Sequence, residues 1–240
     1  MKHQHLKSIR IIGVSLALLL VMSSGVLYAD GAVATYEVTI RNLTGGQPLT
    51  PPVFATHRGS VHVFVVGKAA SFEIKEIAEN GNLTPMVEAL SNNKQVSDVV
   101  VVVGAPPPLL PGGSATFMIT ADPGAKFLSF ASMLICTNDG FTGIDSVLLP
   151  IRVGDRVTVE TAGYDAGTEI NTEDFADIVP PCPPLTGVPS DVPGTGVSNP
   201  HLAEGGVIRH HPGIQGGVDL VPAIHGWTDP VAEVEITRTD

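Results

Sequence analysis

ATYEVTIRN, residues 34–42, alternates without a break. Tyr36, Val38 and Ile40 fall on one side, and Glu37, Thr39 and Arg41 on the other. A period of two marks a strand with one face buried and one face wet. The chain closes on the same pattern: in VAEVEITR, residues 231–238, Val234 and Ile236 point inward while Glu233 and Glu235 point outward. The likeness of the two segments places both in one β structure. Working inward, VFATH (53–57), SVHVFVVG (60–67), VSDVVVVVG (96–104), SATFMITAD (114–122) and AKFLSFASMLI (125–135) also read as strands. SVLLPIRVGDRVTVETAGYD (146–165) gives two more, turned at Gly154-Asp155.

One stretch changes period. Phe72, Ile74, Ile77 and Ala78 fit a short amphipathic helix that Asn80-Gly81 stops. Thr84 before Pro85 is placed to cap a second short helix, with proline at its first position. The prolines of VPPCPPLTGVPSDVPGTG (179–196) exclude helix or central strand there. Residues 186–226 form a Gly-, Pro- and His-rich excursion. The expected fold is all-β, an antiparallel sandwich of about eight strands with one or two short helices in an insertion.

The first residues set the compartment. Lys2, Lys7 and Arg10 precede a twelve-residue apolar stretch, then small residues up to Asp30. That layout predicts a signal peptide over residues 1–29, cleaved near Ala29, with the domain occupying 30–240. The stretch is short against the roughly twenty residues of a membrane span, the alternative being an uncleaved anchor. Without the leader, ten Lys and Arg face twenty-four Asp and Glu, a net charge of −14. Such a surface argues against nucleic acid and against acidic lipid, and favours divalent cations as counter-ions. The expected location is secreted, periplasmic or cell-surface. In that setting Cys136 and Cys182, the two cysteines, predict one disulfide; two separate buried thiols are the alternative.

No GxSxG, HExxH, phosphate loop or GxGxxG follows a strand, so no catalytic motif is found. RHHPG (209–213), with His201 and His225, invites a metal reading. Adjacent strand residues face opposite ways, so His210 and His211 would rarely share an ion. Exposed or hydrogen-bonded loop histidines are the plainer reading, also for His57 and His62. The acidic loops are more specific. Asp139 follows one buried strand and Asp165 another, with Glu169, Asn171, Glu173 and Asp174 close behind. Calcium takes six to eight oxygens, mostly carboxylate and carbonyl, and glycines at 140, 143 and 167 let backbone approach. An ordinary solvated acidic turn is the alternative.

TNDGFTGIDS (137–146) followed by GYDAGTE (163–169) resembles the spondin domain, found N-terminally in F-spondin and mindin and also in bacterial exported proteins. The family pattern is close to Ser-Pro-Asp-Trp-Phe-x-Gly-x-Asp-Ser, then Trp-Asp-Ala-Gly-Thr-Asp. The chain matches it at Asp139, Phe141, Gly143, Asp145 and Ser146, and again at Asp165, Ala166, Gly167 and Thr168. VTIRNLTGGQPLTPPVFATH (38–57) and EIAENG (76–81) extend the likeness over roughly residues 34–170. The resemblance implies a sandwich like that of calcium-dependent phospholipid-binding domains. It also implies a calcium site with Asp139, Asp165 and Glu169 as ligands and Asp145 as a loop organiser. Glu169 replaces the family Asp, Asn138 replaces Pro and Gly140 replaces Trp, so a looser first loop is expected. A Cys136–Cys182 bridge would brace the site. The implied function is a secreted calcium-binding module for adhesion or binding, its partner a protein or glycan outside the cytoplasm. With two Cys and one Trp, the chain lacks the thrombospondin-type repeats of the animal proteins. Membrane contact is not favoured, since Phe141 has no basic neighbours. A metal-dependent hydrolase, using the acidic loops or the His201/His210/His225 region, is the alternative from a different class.

Overall fold

A computed structural model of the protein describes residues 31–103, 108–192 and 194–240; the expected leader, 1–29, lies outside them. Two antiparallel sheets form a sandwich-like β fold with a few short helices. The strands are β1 Ala34–Asn42, β2 Val53–His57, β3 Val96–Val101, β4 Ser114–Ala121, β5 Phe127–Met133, β6 Gly140–Leu148, β7 Arg156–Thr161, β8 Gly163–Asp165, β9 Arg209–His210 and β10 Ala232–Arg238. The helices are α1 Phe72–Asn80, α2 Thr84–Ser91, α3 Cys182–Thr186 and α4 Pro222–His225.

The first sheet has the order β4-β1-β10-β7, so the first and last strands are its centre. Their register sets Val38 opposite Ile236 and Ile40 opposite Val234. The alternation read from the sequence is the alternation of burial: Tyr36, Val38, Ile40, Val234 and Ile236 are buried, and Glu37 and Arg41 are exposed. At one end of this sheet the chain meets itself, where the Thr35 backbone N–H and hydroxyl donate to the Asp240 carboxylate at 2.6 and 2.8 Å.

The second sheet has the order β3-β2-β5-β6-β8-β9. It is covered on both faces, which is why β2 and most of β5 are buried throughout. Phe54, Leu128 and Phe130 face the first sheet; Val53, Ala55, Ala131 and Met133 face the helices and the 163–226 region. Phe54 joins the layers, stacking on Phe130 at 4.6 Å and meeting Phe117 of the facing sheet at a tilt, 4.8 Å between ring centres. α1 buries Ile74, Ile77 and Ala78 on this second face. It starts at a Ser71 cap and stops at Gly81, whose φ of +63° is the left-handed conformation a helix end favours in glycine.

Five expectations change. Helix does form within the proline-rich 179–196 stretch: α3 carries Pro183 and Pro184 in its first turn, where a missing N–H breaks no helical bond. The strands number ten among the described residues; β8 and β9, three and two residues long, extend the edge of the second sheet. SVHVFVVG is no strand: residues 61–67 bend and turn, because their N–H groups go elsewhere, Val63 to Asp145 at 2.7 Å and Gly67 to the Ile208 carbonyl at 2.8 Å. Thr84 does not cap α2 but begins it; its N–H is taken by Asn82 Oδ1 at 3.2 Å. The polar segment at 136–145 is not all turn, since β6 starts at Gly140 and pairs Phe141 with Met133.

Candidate functional site

The turn between β5 and β6 is closed by Thr137, whose hydroxyl donates to the Leu134 carbonyl at 2.6 Å and accepts the Gly140 N–H at 2.9 Å. A Cβ on residue 140 would sit 2.4 Å from that hydroxyl oxygen, so glycine stands here because Thr137 fills the space. Asn138 reaches across to the second loop, accepting the Thr172 and Glu173 N–H groups at 3.1 and 3.3 Å and donating to Thr172 Oγ1 at 3.1 Å. The two departures from the family pattern are thus tied in, and the looser loop expected from them is not what the structure shows. Gln47 holds the turn from below. Its amide exchanges hydrogen bonds with the Cys136 backbone and donates to the His225 carbonyl.

Asp139 and Asp165 lie at the start of β6 and the end of β8. Gly140 pairs with Asp165, and the ladder runs on through the Ala166 N–H to the Asp139 carbonyl at 3.1 Å. Both side chains are fully buried. Asp139 Oδ2 accepts the Thr168 and Glu169 N–H groups at 2.7 and 3.0 Å, while its Oδ1 has no partner. Burial, and then the neighbouring Asp165 charge, push the Asp139 carboxyl up to about 6 against those N–H bonds. Asp165 Oδ1 accepts the Gly167 N–H; its Oδ2 takes Asn171 Nδ2 at 2.9 Å and the Arg209 guanidinium at 3.1 Å. Gly167, at φ +69°, allows the backbone of 206–207 to pass where a Cβ would be 2.6 Å from the Val207 nitrogen.

Glu169 is turned to a different neighbour. Its Oε1 accepts the Asn199 N–H at 2.8 Å, and it shares a cavity with Glu79. Burial above all raises its carboxyl to about 7, with Glu79 and Asp139 adding to the rise. Asp139 and Asp165 are therefore brought together, and Glu169 lies beside them with its own contacts. Asp145 organises its surroundings as expected: it accepts the Val63 N–H, and its other oxygen lies 2.6 Å from His62 Nδ1. Ser129 Oγ stands 2.7 Å from His57 Nε2 and 3.4 Å from Asp145, but Ser129 and His57 are fully buried, and the contact fastens β2 to β5.

Cys136 and Cys182 form a disulfide. It anchors α3 beside the β5–β6 turn, three residues before Asp139. The histidines are scattered. His201 is exposed, and His210 is exposed against Tyr164. His211 packs on Trp227 at 5.0 Å, its ring held down to about 4 by burial. His225 is buried, accepting the Val221 N–H at 2.8 Å and meeting Thr186 Oγ1 at 3.1 Å. Among the described residues, the one set of three metal-type ligands within 4.8 Å of one another is Cys136, Cys182 and His225, and its two sulfurs are already bonded to each other. Sequence reasoning missed Arg209, Glu79 and Asn199. Arg209 stood in view inside RHHPG, next to the histidines that drew attention instead.

The Spondin_N family model matches residues 49–176, more than half of the chain. The match runs from just before β2 to the turn after Glu173 and includes both aspartate loops; Cys182, Arg209 and β10 lie beyond it. No curated protein matches the chain.

Proposed function

The chain belongs to the Spondin_N family, and from that footing we propose that it is a binding module of the cell exterior that holds one calcium ion at its aspartate loops. The observation that carries the metal site is Asp139 Oδ1: a buried carboxylate oxygen without a partner, beside the second buried carboxylate of Asp165. Leaving a buried acceptor unpaired costs free energy, and two adjacent carboxylates repel. The Arg209 guanidinium answers Asp165 but does not reach Asp139. A hard cation answers both, and carboxylate oxygen is what calcium takes. Asp139 and Asp165 are the residues that fit; Glu169 follows in the same loop, its N–H on Asp139 and its side chain on Asn199. When bound, the ion supplies positive charge that fixes the two loops against each other.

The exterior location rests on the disulfide, which persists in oxidising compartments. It is supported by the leader expected in residues 1–29. None of the helices among the described residues is long and apolar enough to cross a membrane. The acidic surface fits a protein or glycan partner and not nucleic acid. The hydrolase alternative has no comparable observation behind it.

The test is calorimetry and thermal melting of the disulfide-intact, chelator-treated protein with calcium. Saturable binding and a raised Tm are expected in the wild type. Asp139→Asn keeps an oxygen for the Thr168 and Glu169 N–H groups and removes the charge, so it is expected to abolish the calcium response without loss of fold. A wild-type Tm that does not move with calcium overturns the metal site.

A further inference from the structure

Glu169 opens onto a cavity of about 310 Å³ whose walls include Glu79, Asp177, Ile178, Val197 and Asn199. Its chemistry is one-sided. Glu79, in the last turn of α1, is 5 % exposed; its Oε2 holds the Lys75 ammonium at 2.7 Å, and its Oε1 has no partner. Glu169 keeps one oxygen on the Asn199 N–H, and Asp177 takes the Thr172 hydroxyl at 3.0 Å and Asn199 Nδ2 at 3.3 Å. Three carboxylates thus line the space, one of them paired with the Lys75 ammonium. That ammonium is already divided between Glu79 and Ser198 Oγ. Ile178, Val179, Val197 and Pro200 supply apolar wall between the acids.

A bare metal ion is a poor match. Each acid is already turned to its own neighbour, Glu79 to Lys75, Glu169 to the Asn199 N–H and Asp177 to Thr172 and Asn199, and the three do not converge on one centre. Spread acceptors joined by apolar wall suit a cation whose charge carries several N–H donors and whose stem is aliphatic. Lys75 is an internal example, since Glu79 already accepts an alkylammonium.

We propose that this cavity binds a small organic cation, an alkylammonium or guanidinium group on an aliphatic stem, with the Glu169 and Glu79 carboxylates as the receiving pair. The group is either that of a free amine or the basic side chain of a peptide. Glu169 stands between the two sites, its backbone N–H on Asp139 and its side chain on the cavity, whereas Glu79 makes no hydrogen bond to Asp139 or Asp165.

The experiment is calorimetric titration of the disulfide-intact protein with agmatine, 1,4-diaminobutane, and capped tripeptides carrying a central lysine or arginine, with choline as a cation that lacks ammonium N–H donors. Saturable binding of at least one N–H-bearing probe and none of choline is expected. Binding by the free amines alone identifies a free amine as the ligand class, and binding by the peptides alone identifies a basic side chain. Glu79→Gln is expected to weaken binding roughly tenfold or more, as loss of a charge-assisted bond does. Val197→Trp, which sets a bulky side chain at the cavity's rim and leaves Glu79 in place, is expected to weaken it. The calcium response should survive in Glu79→Gln, and amine binding should survive in Asp139→Asn, so the two sites fail separately. The proposal is overturned if no probe binds, if choline binds as well as agmatine, or if Glu79→Gln with an unchanged melt binds like the wild type.

Discussion

The four-stranded sheet and the region from 163 to 226 solve one problem by different means. Buried backbone N–H groups need acceptors. In the sheet β4-β1-β10-β7 they find them in the neighbouring strand, and side chains are left to pack. The 163–226 region has only short elements, and carboxylates stand in for the missing strands. The Glu173 side chain accepts the N–H groups of Gln215, Gly216 and Gly217 at 2.6, 2.6 and 2.9 Å, and its carbonyl accepts those of Asp219 and Leu220. Asp139 does the same for 168–169, and Glu169 for 199. The acidic excess of the chain is thus partly internal structure. One half of the molecule is held by geometry that charge hardly touches; the other is held by charge.

That contrast can be broken at several points. The largest effect is expected from the covalent brace. Replacing both Cys136 and Cys182 by serine opens a loop spanning 46 residues. It should cost about 4 kcal/mol on the loop-entropy relation, read as a lower denaturant midpoint. An unchanged midpoint would show that the carboxylate contacts suffice alone. Next, Glu173→Ala removes the charged acceptor that three N–H groups of the exposed 215–217 segment share, and should cost about 3 kcal/mol. Hydrogen exchange should speed up at 213–220 while Val38 and Ile236 stay protected; uniform loss across both regions would deny that they are held independently.

A third effect is electrostatic. Asp139 and Glu169 have carboxyls raised to about 6 and about 7, so the folded state binds protons that the unfolded chain has released. Their contribution to stability is therefore whole at pH 4 and declines as pH rises towards 7, by about 2–3 kcal/mol for Asp139. His211, lowered to about 4, works in the other direction and loses stability as pH falls from 6.5. Asp139→Asn isolates the first effect: its denaturation midpoint at pH 8 should exceed that of the calcium-free wild type, and the gap should close at pH 4. A constant gap would remove the titration of Asp139 from the explanation. The smallest change is expected in the sheet, where Arg156→Ala removes an exposed pair with Glu235. It should move stability by less than about 0.5 kcal/mol, and a larger shift would show that charge matters in that half too.

The same contrast governed what could be read in advance. β1 and β10 were legible because one face is wet, and the alternation survives in the residues. β2 and β5 are buried on both faces, so their residues showed a strand without showing which way it faces. SVHVFVVG misled because its valines bury as a strand's would, while its N–H groups turn to Asp145 and Ile208. At the site, Asp139 and Asp165 were visible in paired local motifs. Arg209 lies 44 residues beyond Asp165, and Glu79 sits on a helix distant in sequence; only the folded chain sets them beside the acids. Glu173 looked like one acid among several, since nothing local marks a residue whose φ of +57° turns it towards the segment 215–220.

The bond between Thr35 and Asp240 has a practical reading. β10 runs seven residues away from that corner before Ala232 meets Thr161, roughly 20 Å along the strand, and Asp165 follows just beyond. The same corner is a handle: a bead, dye or surface attached there stands about a strand's length from the aspartate loops.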